Sequence, residues 1–315
     1  MGATAKDVHV DKVLTEMALG YKPEGFIADM ISPVVRVQKQ TDIYTEFDRG
    51  RRLRRQDTQR SPGARAHMVE QDVGSATYHC KNYALAYPVT IEDKANADPM
   101  FLRDLYNARA ELIIDDLLLD KEARVSAQVT NTSNVGSSSA VSSAWNGAGD
   151  VLGDMNAAID NVRYSNGVRP NLVVFGPEAW DSFRRDSSVR SLINGSNNGG
   201  GYVNEDQVRN LLNVDKILVA GSFVNSADDG QSESIQSVWG DNVLVAYNSP
   251  RPNRERPSFS YEFRWVGNGL SDMTVERHPY DSRTKSEDVE VGYYGQEKIT
   301  GASYGFLLTA VNSST

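Results

Sequence analysis

Seven arginines crowd into one short stretch of this chain: Arg49, Arg51, Arg52, Arg54, Arg55, Arg60 and Arg65, against the single acid Asp57. No lysine interrupts them. A guanidinium presents a planar fork of donors that grips a carboxylate or a phosphate through two hydrogen bonds at once. The chain around them is acidic, with 33 basic against 42 acidic residues and a formal charge of −9. Dedicated nucleic-acid binders are usually basic overall. An acidic chain with one arginine-rich segment is suited to contact carboxylates on another copy of itself. DNA contact and a merely solvated loop are the competing readings.

Elsewhere the chemistry is sparse. His9, His67, His79, His278 and the lone Cys80 fall in no H-x-x-x-H or C-x-x-C spacing, so no metal site is expected. One cysteine excludes a disulfide within one chain. The glycine-rich GSNNGGG at 195–201 is followed by Tyr202-Val203 rather than Gly-Lys-Ser/Thr, and no G-x-G-x-x-G opens a helix, so no phosphate cradle or cofactor is expected. No G-x-S-x-G elbow occurs. Asp115 and Asp116, if helical, point about 100° apart and make no acid–base dyad. Cys80 falls in a predicted strand and suits packing better than nucleophilic attack. These absences argue against an enzyme. No run reaches the ~18 apolar residues of a membrane span. The opening MGATAKDVHVDK has no secretory apolar core, so the protein is expected in a reducing cytosol or a particle assembled there.

The elements that must carry the arginines come next. Residues 9–20 read as a short helix, and 21–37 as an irregular arm ending in the strand-like VVRV. QTDIYTEF and SATYHCKNYALAYPVTI alternate with period two and read as extended flanks of a long polar loop, DRGRRLRRQDTQRSPGARAHMVEQD. Asp98-Pro99 is a helix start, cap then proline at the first turn, and the helix runs to about Val129. Its apolar residues make two stripes, one through Leu105, Ala108, Leu112 and Leu119, the other through Tyr106, Ala110, Ile113 and Leu117. Residues 131–149, rich in Ser, Gly and Asn, read as a linker at a domain boundary. Beyond it, a helix from Asp150, a strand 171–176, a helix 177–193, a helix 205–213 and strands 216–221 and 238–247 make an α/β unit. After Pro250 four stretches, ending with 303–311, read as mostly antiparallel strands.

In this order the segments resemble the major capsid proteins of tailed phages, a fold shared with encapsulin shells. The arm is LTEMALGYKPEGFIADMISPVVRV, and the inserted unit is carried by NLVVFGPEAWDSFRRDSSVRSLI, LLNVDKILVAGSFVNSA and VWGDNVLVAY. The resemblance covers nearly all of the chain. It implies an α+β fold: an N-terminal arm (1–37), an extended β-hairpin loop (38–90), a peripheral domain (91–149) with a spine helix at 98–129, an inserted α/β axial domain (150–250), and strands returning to the peripheral domain (251–315).

The same resemblance implies a structural subunit that self-assembles into hexamers and pentamers of an icosahedral capsid. The capsid would enclose double-stranded DNA without sequence-specific binding and be assembled in the host cytoplasm. The arm begins close to Met1 with no preceding heptad block, so a separate scaffolding protein is expected, and a decoration protein is compatible with the scheme. Some relatives weld subunits through a lysine on the extended loop. Here no lysine lies between Lys39 and Lys81, so a non-covalent shell is expected. The alternatives are an encapsulin-type compartment and, from another class, an α/β enzyme acting on nucleotides.

Overall fold

A computed structural model of the chain describes residues 9–10, 12–20, 25–47, 53–55, 58–63, 65–66, 68, 73–97, 102–147, 149–195, 201–228, 230–267 and 270–312. The arm carries β1 (His9–Val10), α1 (Lys12–Gly20), α2 (Ala28–Ile31) and β2 (Val34–Val37). A hairpin of β3 (Thr41–Phe47) and β4 (Val73–His79) leads to β5 (Lys81–Thr90), α3 (Ile91–Asn96) and the long α4 (Leu102–Val129). Then come β6 (Ser137–Ala140), α5 (Val151–Asn166), β7 (Leu172–Phe175), α6 (Pro177–Arg185), α7 (Ser187–Asn194), α8 (Glu205–Leu212) and β8 (Lys216–Val219). The small hairpin β9 (Phe223–Asn225) and β10 (Ile235–Ser237) precedes β11 (Val243–Ala246). The chain closes with β12 (Ser260–Trp265), β13 (Thr274–Arg277), β14 (Ser286–Ile299) and β15 (Gly305–Thr309).

Two sheets organise this α+β chain. In the first, β14 is the trunk: β13, β12 and β5 all pair with it antiparallel, β1 extends β13, and β2 lies parallel to β12. Along β14, Val289, Val291 and Tyr293 point to one face, as the two-residue strand period requires, and meet Ala110, Ile113, Ile114 and Leu117 of α4. Of the two expected helix stripes, the one through Ile113 and Leu117 is buried, while Ala108 and Leu112 of the other face outward. The second sheet runs β6-β15-β11-β7-β8. All four residues of β7 are buried. Val173 and Phe175 meet the helices α5 to α8 on one face; Leu172 and Val174 meet the arm and the end of α4 on the other. Val125 and Val129 of α4 sit in that second core, so one helix spans both sheets.

Several expectations are corrected. The flank 75–91 is not one strand: it breaks at Cys80, and β5 leaves the hairpin to pair along β14. The break is pinned because the Cys80 N–H donates to Gln40 O at 2.9 Å and its buried thiol to Phe263 O at 3.3 Å. The predicted helix 177–193 splits at Asp186, whose extended backbone ends α6 while its carboxylate caps α7 by accepting from Ser188 and Val189 N–H. The linker 131–149 contains β6 and the buried Trp145, because pairing with β15 supplies what serine propensity does not. Residues 305–309, expected among the peripheral return strands, lie in the second sheet beside β11. His9 and Val10 are strand, paired with β13, rather than the start of a helix. The Asp98-Pro99 helix start lies outside the described residues.

Candidate functional site

The arginine-rich segment sits at the end of the β3–β4 hairpin, and the hairpin is firmly rooted. Tyr78 stacks on Phe263 of β12 at 4.6 Å between ring centres, and Tyr44 lies 5.3 Å from the same ring. Burial pushes both phenols up to about 12, so they remain neutral hydrogen-bonding groups. Lys298 donates to Thr77 O at 2.7 Å, and His79 N–H to Gln296 Oε1 at 2.8 Å, tying β4 to β14. At the hairpin base, Asp42 lies 3.5 Å from both Lys39 and Arg254. The root is fixed to the first sheet.

Of the seven arginines, Arg54, Arg55, Arg60 and Arg65 are exposed, and none is ion-paired with another described residue. Arg49, Arg51 and Arg52 lie outside the described residues. The four exposed arginines form a cationic segment accompanied by two exposed apolar side chains, Leu53 and Met68.

A second constellation escaped the sequence reading. Lys121 and Glu122, adjacent on α4, are both buried and clamp the arm. Glu122 accepts from Ala28 N–H at 2.8 Å, Ile27 N–H at 3.1 Å and Trp239 Nε1–H at 2.6 Å. Two of these donors are backbone N–H groups at the start of α2, which have no partner within their own helix. Burial pushes the Glu122 carboxyl above its ordinary range, against the pull of its three donors. Lys121 pairs with Asp29 of α2 and with Glu262 of β12. Burial disfavours its ammonium, but the carboxylates of Glu262 and Asp29 outweigh that and raise its pKa. Arg264 Nε also donates to Glu262 at 2.8 Å. Arm, spine helix and first sheet thus meet in one ionic core, and Trp239 links it to the second sheet. Only the segments packed against α4 reveal that these two charges face inward; nothing in their spacing marks them.

The remaining candidates resolve as packing. Cys80 is buried and its thiol is pushed up to about 11 by that burial, a poor nucleophile. Asp115 is half-buried and Asp116 exposed, on different faces of α4. His278 lies 2.7 Å from Glu290 on the neighbouring strand. Among the described residues no three His, Cys, Asp or Glu side chains are grouped to hold a metal ion, and no helix is long and apolar enough to cross a membrane.

A long spine helix laid on a sheet, a rooted hairpin and a second mixed sheet define the tailed-phage major capsid fold. The solved structures agree. A phage-related protein from Bordetella bronchiseptica RB50 superposes with a TM-score of 0.77 at 22% identity, over 98% of this chain and 99% of that one. The capsid of cyanophage P-SCSP1u superposes with a TM-score of 0.56 at 12% identity, over 99% and 93%. Residues 119–256 match the family model of phage major capsid protein E. The major capsid protein of Burkholderia phage BcepMu is 28% identical over 99% of this chain and all of its own length. Over nearly its whole length the chain is similar to phage major capsid proteins. Its role is structural, as a self-assembling component of the virion.

Proposed function

We propose that the chain builds the hexamers and pentamers of an icosahedral shell that encloses double-stranded DNA, assembled in the host cytoplasm with a separate scaffolding protein. The exposed arginine segment bridges subunits by binding carboxylates on a neighbouring copy. The first sheet with α4 acts as the peripheral domain and the second sheet with α5 to α8 as the axial domain. The observation that carries this reading is a cationic segment, unpaired within the described residues, in the loop of a rooted hairpin on a chain of charge −9. Exposed acidic residues of α4, Asp116 among them, offer partners of the right sign. A shell wall of net negative or neutral charge would let packed DNA slide rather than stick.

The full-length likeness to a phage capsid protein favours this over an encapsulin-type compartment or a nucleotide-acting enzyme. Single exposed ion pairs are worth only about 0–1 kcal/mol, but a cluster repeated around a closed shell multiplies that contribution. Changing Arg51, Arg52, Arg54 and Arg55 together to glutamate should abolish assembly and leave a folded subunit, read by electron microscopy and circular dichroism. Normal shells from that variant would exclude the bridging role.

A further inference from the structure

We propose that Leu53 parks the arginine segment on its own subunit before assembly, with Gly167 as its seat; this rests on the reading of that segment as an assembly element. Helix α5 ends at Asn166, and Gly167 follows in the left-handed conformation, φ +67°, its N–H donating to Arg163 O at 2.8 Å. Glycine is the ordinary residue at such a helix stop because it carries no β-carbon. Here the bare backbone has a second use. A β-carbon on Gly167 would lie only 2.9 Å from a methyl of Leu53, so the leucine reaches a place that a side chain would fill.

The contact is shallow. Leu53 keeps 54% of its surface exposed, so little apolar area holds it in place. It is also built from an apolar side chain, which leaves Arg54, Arg55, Arg60 and Arg65 exposed while the segment is parked. A neighbouring copy that offers carboxylates gains charge-assisted hydrogen bonds and displaces only this weak contact. The free subunit therefore favours the parked arrangement, and a docked neighbour favours the released one. The population shifts because the neighbour binds only the second state.

A photo-reactive diazirine analogue of leucine placed at position 53 of the full-length chain tests the contact. In dilute subunit, irradiation should give an adduct of monomer mass that maps to residues 163–169; its absence overturns the proposal. In shells the adduct should move to another chain or vanish; an intrachain adduct that persists there also overturns it. Gly167→Asn keeps a residue that tolerates the left-handed conformation but fills the seat. It should abolish the intrachain adduct and lower several-fold the concentration at which shells form, whereas an unchanged threshold counts against the parking role. Glutamate at Arg54, Arg55, Arg60 and Arg65 separates the two readings. Lost shells with the adduct intact support both, and normal shells refute the assembly reading on which parking depends.

Discussion

Replacing Lys121 by methionine tests the ionic core that fastens the arm to the spine helix. The two side chains have similar length, so the change removes charge with little change in volume. Lys121 is 1% exposed and Glu262 is fully buried. Without the ammonium, Glu262 keeps only Arg264, and Asp29 at the start of α2 loses its pairing with α4. Removing one member of a buried ion pair costs about 3–5 kcal/mol because a charge is left behind without compensation. Arg264 still faces Glu262, and Asp29 is largely exposed, so the lower end applies, about 3 kcal/mol. That is a large fraction of the 5–15 kcal/mol that typically holds a domain together. Urea unfolding of the unassembled subunit reads it, followed by the fluorescence of buried Trp239, which hydrogen-bonds the adjacent Glu122. A second variant, Lys121→Met with Glu262→Gln, should lose more, since the buried Arg264 is then left without the carboxylate it pairs with. A single variant within about 0.5 kcal/mol of the parent, the range of ordinary surface changes, would refute the reasoning.

Acid should weaken the first sheet through Glu287. Burial pushes its carboxyl up, but hydrogen bonds from Lys94, Tyr106 and Arg277 win and hold it at about 2, below the ordinary 4.5. A depressed carboxylate contributes stability above the unfolded value and loses it as pH falls through the folded value. Glu287→Gln should therefore flatten the acid limb of subunit stability between pH 4.5 and about 2, and an unchanged limb would contradict the pairing. Glu122 carries the opposite sign: its raised carboxyl favours the folded chain below its unfolded value, and that contribution fades as pH rises. Hydrogen exchange at the Ile27 and Ala28 amides should accordingly show tighter protection at mildly acid pH, after correction for intrinsic rates. Mature particles boiled in detergent should give one band near 34.7 kDa, and a ladder of covalent oligomers would contradict a non-covalent shell. The two lysines that flank the loop, Lys39 and Lys81, sit at its base beside β3 and β5 rather than at its tip.

Local signals in the sequence located most elements and misjudged where they pair. The spine helix, β7, β8 and α8 follow from apolar periodicity, which needs only neighbours in sequence; the structure adds the Asn204–Gln207 capping box at the start of α8. The break at Cys80 depends on Phe263 and Gln40, distant residues that no period-two pattern contains. Strand β6 is serine-rich and becomes a strand because β15 lies alongside it. The arginine cluster was legible as composition, and the hairpin beneath it as alternation. The clamp at Lys121 and Glu122 was not legible, since a Lys-Glu pair on a helix ordinarily faces water, and here the arm, β12 and Trp239, all distant in sequence, bury it.

Electron microscopy of this chain expressed together with the proposed scaffolding protein tests the central claim most directly. Closed shells of uniform diameter with icosahedral symmetry, each wall built from hexamers and pentamers of the 34.7 kDa chain, are the expected result. A folded subunit that stays monomeric across all concentrations, or that forms only open sheets and tubes with the scaffolding protein present, would contradict it.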